Sequence, residues 1–126
     1  AENVRIMAKM ENLEGFSRLE ELVDAADEIC IARGDLGNAV PLWKLPALQK
    51  EIARVCREKG KKFTVATQML ASMESSAVPT RAEVCDIFNA VLDGGDVMVT
   101  GETAAGKYPA EVIKFLANTT SASKSF

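Results

Sequence analysis

Short apolar runs alternate along the chain with polar segments and with longer stretches whose apolar residues recur every three or four positions. The short runs are rich in valine, isoleucine and methionine and do not alternate cleanly with polar residues. This pattern is typical of parallel strands that are covered on both faces. It predicts four strands, over residues 4–8, 28–32, 62–66 and 96–99.

The longer stretches predict four amphipathic helices. Thr80 followed by Glu83 has the spacing of a capping box, and Pro109 suits the first position of a helix. Residues 118–126 lose the apolar spacing and are expected to fray. The positions predicted to face the core are Leu19, Leu22 and Val23 in the first helix, Leu48, Ile52, Val55 and Cys56 in the second, Ile87, Phe88, Val91 and Leu92 in the third, Val112, Ile113 and Leu116 in the fourth, and Met69 and Met73 between the second and third.

Strands and helices that alternate in this way predict an α/β protein built of parallel βα units. Polar side chains follow all four strands at their carboxyl ends, which favours a TIM (β/α)8 barrel over an open sheet with one switch point. Four units are half of such a barrel, so residues 1–126 are predicted to form part of a barrel domain. An isolated half would expose two strand edges, so we expect a piece of a longer protein or a chain that pairs with another copy. The polar pairs are Lys9 and Glu11, Arg33 and Asp35, Thr67 and Gln68, and Thr100 and Glu102.

Composition narrows the class of protein further. At 126 residues, 48% of them hydrophobic and 26% charged, the chain is long enough for one domain with a core. A net charge of −3 without a basic block argues against nucleic-acid binding. No apolar run approaches the ~20 residues that span a bilayer and no signal-peptide pattern opens the chain, so we expect a cytoplasmic protein without a membrane segment. The three cysteines, Cys30, Cys56 and Cys85, are expected to be reduced thiols in the core.

The charged pairs after the first two strands offer a specific chemistry. Lys9 and Glu11 are two residues apart, which turns both side chains to one side of an extended segment, and Arg33 and Asp35 repeat that spacing. Glu11 and Asp35 would offer carboxylates to Mg²⁺, and Lys9 would stabilise negative charge on a substrate. Each feature also has a structural explanation, because acids cap turns and Lys9 can form a surface ion pair with Glu11. Four clusters at four strand ends favour a metal-assisted enzyme that acts on a small anionic substrate.

Glycines and hydroxyl groups complete the candidate site. Gly34 and Gly37 would let backbone N–H groups approach an anion such as a carboxylate. The chain has no histidine, which excludes histidine-based triads and metal sites. A proton would therefore move through a hydroxyl, a lysine, a carboxylic acid or water, which draws attention to Thr67 and Thr100.

Seven segments resemble the pyruvate kinase family in sequence, order and spacing. They read AKMENLEG (8–15), IARGDLG (31–37), QK (49–50), ATQMLASM (66–73), PTRAE (79–83), NAVLDGGD (89–96) and GETAAGKYP (101–109). In that family these segments belong to the last four βα units of the catalytic barrel, in agreement with the half-barrel predicted above. The chain departs from the family at Thr100, where serine is usual, at Ala39, where glutamate is usual, and at Phe88.

The resemblance implies transfer of the phosphoryl group of phosphoenolpyruvate to ADP, giving pyruvate and ATP, with Mg²⁺ and usually K⁺. It implies that Glu11 and Asp35 bind Mg²⁺ and that Lys9 stabilises the transferring phosphoryl group and the enolate oxygen. Arg33 would brace the site. The residues whose backbone would bind the pyruvate carboxylate are Ala32, Arg33, Gly34 and Asp35.

The same resemblance implies how the enolate is protonated. Thr67 would lie on the face of the enolate that receives the proton, and Thr100 and Glu102 would belong to the relay that delivers it. The family's K⁺ site, a phosphate-binding arginine, the small lid domain and the effector domain lie outside the matching segments. This chain alone is therefore expected to bind Mg²⁺ weakly and to be inactive, while the complete enzyme would be a homo-oligomer, by analogy a tetramer.

Two other functions remain open from the sequence. One is a Mg²⁺-dependent lyase or aldolase of the wider phosphoenolpyruvate and pyruvate barrel group, which also holds an enolate near a metal. The other is a non-catalytic half-barrel module that assembles with itself or with a missing half.

Overall fold

A computed structural model describes residues 3–126, and the chain divides into two compact units that meet in sequence between Val65 and Ala66. Helices and strands alternate, as predicted for an α/β protein. Among the described residues no helix is long and apolar enough to cross a membrane. The elements up to the boundary are β1 (Met7–Met10), α1 (Leu13–Ser17), α2 (Leu19–Ala25), β2 (Glu28–Ala32), α3 (Arg33–Ala39), a 3-10 turn (Leu42–Lys44), α4 (Leu45–Glu58) and β3 (Lys62–Ala66). Those that follow are a second 3-10 turn (Ala71–Glu74), α5 (Arg81–Leu92), β4 (Asp96–Met98), α6 (Gly101–Ala104) and α7 (Pro109–Lys124).

Strands β1 and β2 of the first unit run parallel and in step, from Met7 opposite Glu28 to Met10 opposite Ile31. Strand β2 lies between β1 and β3. The predicted bounds of β2 and β3 are confirmed, whereas β1 begins at Met7 and not at residue 4. The reason is that Ile6 bonds to the segment ahead of β2: its N–H donates to the carboxylate of Asp27 at 2.6 Å.

The core of the first unit lies between the strands and helices α2 and α4. Ile29 and Ile31 of β2 are fully buried. Helix α4 buries Ile52, Val55 and Cys56, which confirms the predicted apolar face. Leu19 and Val23 of α2 are buried as predicted, whereas Leu22 and Leu48 are only half-buried.

Helices α5 and α7 pack against each other in the second unit, and both begin as the sequence predicts. Thr80 and Glu83 form the capping box at the start of α5, and Pro109 is the first residue of α7. Ile87, Val91, Val112, Met69 and Met73 are buried as predicted.

The predicted core positions Leu92 and Ile113 of this unit are wrong. Leu92 and Ile113 are 53% and 57% exposed. Leu92 lies five residues after the buried Ile87, which places it about 140° around the helix and off the buried stripe. Ile113 follows the buried Val112 directly, and neighbouring helix positions are about 100° apart.

The predicted fraying of residues 118–126 is also wrong, because α7 continues to Lys124. Thr119 and Ser123 are buried, and the Ser123 hydroxyl donates to the Phe88 carbonyl oxygen at 3.0 Å. The ring of Phe126 lies edge-on to that of Phe88, with centroids 5.6 Å apart. Residues 112, 119 and 123 share one helix face, but its last positions are polar and so escape a search for apolar spacing.

The three cysteines differ in burial. Cys30 and Cys56 are buried, whereas Cys85 is exposed, so its predicted place in the core is wrong. Cys85 lies two residues before the buried Ile87 and therefore points away from the core face of α5. Burial raises the pKa of the Cys56 thiol to about 11, although nearby Lys61 lowers it, so this cysteine is a neutral core side chain at pH 7.

Gly106 lies where the chain after α6 passes the turn Ala71–Glu74, and it offers a stability test. A Cβ atom at Gly106 would lie 2.7 Å from the backbone oxygen of Glu74, whereas one at Gly101 would have no neighbour within 4 Å. We expect Gly106→Ala to lower the free energy of unfolding by ~1–3 kcal/mol. Gly101→Ala, the matched control in α6, should leave it unchanged or raise it by up to ~1 kcal/mol. Thermal unfolding of both variants checks this, and equal melting temperatures would contradict the close approach.

Candidate active site

Lys9 and Glu11 lie at the carboxyl end of β1 and point the same way, as their spacing predicts. The ammonium nitrogen of Lys9 is 3.3 Å from a carboxylate oxygen of Glu11, and the two side chains are 61% and 40% exposed. Lys9 pairs with Cys30 across the sheet. Burial raises the pKa of the Cys30 thiol, the charge of Lys9 lowers it and that of Glu11 raises it, so both charges act on the neighbouring strand β2. An ion pair this exposed contributes little to stability, about 0–1 kcal/mol, and leaves both groups accessible to a ligand.

The chain passes from β2 directly into helix α3, with Ala32 at the N-cap. Arg33 and Asp35 are both helical, so the prediction that they share one side of an extended segment is wrong. Positions two apart in a helix lie about 200° from each other. Arg33 is accordingly buried, at 9% exposure, while Asp35 is exposed in the first turn.

Gly37, in the middle of α3, packs against α4. A Cβ atom there would lie 3.3 Å from a methyl group of Leu45. The absence of a side chain at Gly37 therefore allows the close packing of α3 against Leu45, and its role in approaching an anion stays a prediction.

Glu11 and Asp35 fit the chemistry of a magnesium site. Both follow neighbouring parallel strands whose ends are in step. Within residues 3–126 no group of three or more Asp, Glu, Cys or His side chains is arranged to hold a metal ion. Two carboxylates suit Mg²⁺ better than a closed protein cage would, because this ion usually keeps several waters and substrate oxygens.

Thr67, in the second unit, begins a strained loop. Its φ is 75°, and Gln68 and Leu70 also have positive φ values of 59° and 57°. A β-branched residue in this region is an outlier, and each such residue costs of order 1–3 kcal/mol. Strain of this kind persists only where the surrounding structure holds it, and here Met69 and Leu70 are buried.

Thr100 and Glu102 meet at the start of α6. The carboxylate of Glu102 accepts hydrogen bonds from its own backbone N–H and from the Thr100 hydroxyl, and both lower its pKa. Glu102 is therefore ionised at neutral pH, and its carboxylate accepts a hydrogen bond from the Thr100 hydroxyl. The hydrogen bond joins the two side chains, and their role in a proton relay stays a prediction.

The predicted residues therefore form groups within each unit. The first unit brings Lys9 to Glu11 and places the segment 32–35 at the end of the adjacent strand, and the second joins Thr100 to Glu102.

Sequence reasoning missed one feature: Glu83 does more than cap α5, because its carboxylate also accepts a hydrogen bond from the backbone N–H of Ser72 at 2.8 Å. The capping-box spacing was the only signal, since no local rule connects residues eleven positions apart.

Glu83 should make stability depend on pH. Burial raises the pKa of its carboxyl group, but hydrogen bonds from Ser72 and Thr80 outweigh this and hold the pKa below its usual value. A lowered pKa in the folded state stabilises the protein above the unfolded pKa of about 4.3 and loses that effect as the pH falls through the folded value. Melting temperatures between pH 3 and 7 should therefore fall less steeply with acid in Glu83→Gln than in the parent protein. Parallel curves would contradict the assignment.

Repeated strand and helix units with polar side chains after each strand define the chain as part of a TIM-barrel domain. A family model described as "Pyruvate kinase, barrel domain" matches residues 1–113. The chain belongs to the pyruvate kinase family.

Individual proteins that are similar to this chain support the assignment to this family. A pyruvate kinase of Geobacillus stearothermophilus is 48% identical over 113 residues, which are 89% of this chain and 19% of the relative. One of Methylorubrum extorquens is 51% identical over 109 residues, 86% of this chain and 23% of the relative. The crystal structure of a pyruvate kinase from Cryptosporidium parvum superposes with a TM-score of 0.92 at 40% identity, over 97% of this chain and 25% of that one. The chain thus spans a quarter or less of the length of these proteins.

Proposed function

We propose that the full-length protein that carries this chain is a pyruvate kinase of glycolysis, which transfers the phosphoryl group of phosphoenolpyruvate to ADP. The observation that carries the proposal is the in-step pairing of β1 and β2, which sets Lys9 and Glu11 beside the turn into α3. Membership of the family supplies the identity of the reaction. The chain contributes part of the barrel domain over residues 1–126, and the enzyme would act in the cytoplasm as a homo-oligomer.

Glu11 and Asp35 would hold Mg²⁺, which when bound neutralises charge on the substrate oxygens. K⁺, the second cation of the proposal, would bind outside this chain. The backbone at Ala32, Arg33, Gly34 and Asp35 would bind the carboxylate of phosphoenolpyruvate or pyruvate, since the start of a helix favours an anion. The buried Arg33 would brace that segment.

Lys9 would act on the bond that breaks. As the P–O bond of phosphoenolpyruvate breaks, its electron pair stays on the enolate oxygen, where negative charge grows, while the transferring phosphoryl group carries its charged oxygens to ADP. The accessible ammonium group of Lys9 would stabilise that charge, which is the main task of an enzyme in a loose phosphoryl transfer. The phosphorus then bonds to a terminal oxygen of ADP, giving ATP.

Thr67, Thr100 and Glu102 would complete the reaction by relaying a proton from solvent water to the methylene carbon of the enolate, which gives pyruvate. Two observations support this role. The strained backbone of Thr67 is of the kind that clusters at active sites, and Glu102 already accepts the hydrogen bond of the Thr100 hydroxyl.

A coupled assay of the full-length protein tests the reaction. Pyruvate and ATP should form in equal amounts from phosphoenolpyruvate and ADP, and only when Mg²⁺ is present. Pyruvate released from an aldol substrate without ADP would instead identify a lyase. No turnover of either substrate would favour a non-catalytic barrel module.

A further inference from the structure

The turn Ala71–Glu74, which follows the strained loop at Thr67, is held at one end by the carboxylate of Glu83. One carboxylate oxygen accepts from the backbone N–H of Ser72 at 2.8 Å, and the other accepts from the Ser72 hydroxyl. The second oxygen also accepts from the backbone N–H of Thr80 at 2.8 Å and from its hydroxyl at 3.0 Å. One side chain therefore binds the turn and the start of α5 together.

The other end of the same turn is held by the segment that follows α6. The backbone N–H of Lys107 donates to the Glu74 carbonyl oxygen at 3.2 Å. Gly106 lies so close to Glu74 that a Cβ atom would come within 2.7 Å of that oxygen. Helix α6 itself carries Glu102 and begins after Thr100. The turn is thus fixed between α5 on one side and the Thr100 and Glu102 segment on the other.

Thr67 lies five positions before Ser72, and its own backbone conformation is unfavourable. Three residues with positive φ lie within the four positions from Thr67 to Leu70, immediately before the turn. Such a segment relaxes when its anchor is lost, since no local preference maintains it. Met69 and Leu70 of this segment and Met73 of the turn are buried in the core, and Ser72 of the turn bonds to Glu83.

We propose that Glu83 is a positioning residue for the protonation step: through Ser72 it holds the Thr67 hydroxyl in place relative to Thr100 and Glu102. The inference rests on the function proposed above and adds a residue to it. Glu83 touches neither the substrate nor the reacting atoms. Weakening the hydrogen bonds between Glu83 and Ser72 should therefore slow proton delivery. It should leave phosphoryl transfer, which depends on Lys9, unchanged.

Two measurements on the full-length enzyme separate these steps. The first measurement is the exchange of deuterium from D₂O into the methyl group of pyruvate, in the presence of MgCl₂ and inorganic phosphate. Proton NMR monitors this exchange, which reports proton transfer to and from the enolate. Loss of phosphoenolpyruvate in the presence of ADP reports phosphoryl transfer. Misplacement of a group by about 1 Å can cost up to 10²-fold in rate, so we expect Ser72→Ala to slow exchange by roughly tenfold or more. Loss of phosphoenolpyruvate should stay within about twofold.

Thr80→Ala is the matched control, because it removes a hydroxyl from the same carboxylate on the side of the helix cap. It should lower the melting temperature and leave exchange within about twofold of the parent. Ser72→Thr keeps a hydroxyl and should restore exchange, whereas Glu83→Gln should slow it as Ser72→Ala does.

Equal loss of exchange in Ser72→Ala and Thr80→Ala would overturn the proposal and assign a general structural role to Glu83. Parent-like exchange in Ser72→Ala would also overturn it. Failure of the proposed function looks different, because the parent enzyme itself would then form no pyruvate from phosphoenolpyruvate and ADP.

Discussion

Lys9→Met in the full-length enzyme is expected to lower kcat for ATP and pyruvate formation by roughly 10³-fold. The methionine keeps most of the length and the apolar stem of the side chain but removes the ammonium group that we propose stabilises the developing charge, and single preorganised donors are worth about 10²–10³-fold. Mg²⁺ binding should persist, because a protonated ammonium group cannot coordinate a cation and its loss frees Glu11 from the 3.3 Å ion pair. A coupled assay and a Mg²⁺ titration measure the two quantities.

Lys62→Met is the matched control for this substitution. Lys62 is also an exposed strand lysine that faces a carboxylate, with its ammonium nitrogen 3.8 Å from Glu28, but it lies at the amino end of β3. Its loss should leave kcat within about twofold, as expected for a surface ion pair. Parent-like activity in Lys9→Met, or an equal loss in Lys62→Met, would remove Lys9 from the reaction.

Asp35→Ala is expected to raise the Kd for Mg²⁺ by tenfold or more, about 1.4 kcal/mol for each factor of ten. Mg²⁺ bound through one or two protein carboxylates loses a large share of its protein ligands when one is removed. The fold should tolerate the change, since Asp35 is exposed and a first-turn acid contributes only about 0.3–1 kcal/mol to its helix. Isothermal titration with MgCl₂ gives the Kd, and thermal unfolding confirms the fold.

Asp24→Ala provides the comparison for Asp35. This aspartate is exposed on α2, where it forms an ion pair with Lys59 at 2.9 Å. Its removal subtracts the same charge from the protein but should leave the Kd for Mg²⁺ unchanged. An unaltered titration in Asp35→Ala, or the same weakening in both variants, would exclude Asp35 as a ligand.

The sequence predicted best where a local rule was sufficient. Strands β2 and β3 are apolar runs flanked by charges, and their bounds agree with the prediction. The capping box at Thr80 depends on a three-residue spacing and is confirmed. Lys9 and Glu11 share a direction because they stand two apart at the end of a strand, and their ion pair follows from that geometry.

Prediction failed where distant parts of the chain decide the structure. The end of α7 is helical because Ser123 donates a hydrogen bond to Phe88, 35 positions away, and the spacing of apolar residues does not predict this helical end. Arg33 and Asp35 diverge because α3 begins directly after β2, without the extended segment that their spacing implied. Likewise, the hydrogen bond between Glu83 and Ser72 joins residues eleven positions apart, and no sequence pattern predicts it.

The fate of the phosphorus atom tests the central claim most directly. Phosphoenolpyruvate labelled with ³²P is incubated with ADP and Mg²⁺ and with the full-length protein, its Lys9→Met variant or its Lys62→Met variant. We predict that the label enters the terminal phosphate of ATP with the parent protein and with Lys62→Met, and that Lys9→Met lowers this transfer by roughly 10³-fold. Label released as inorganic phosphate, or label in ATP at the parent rate with Lys9→Met, would contradict it.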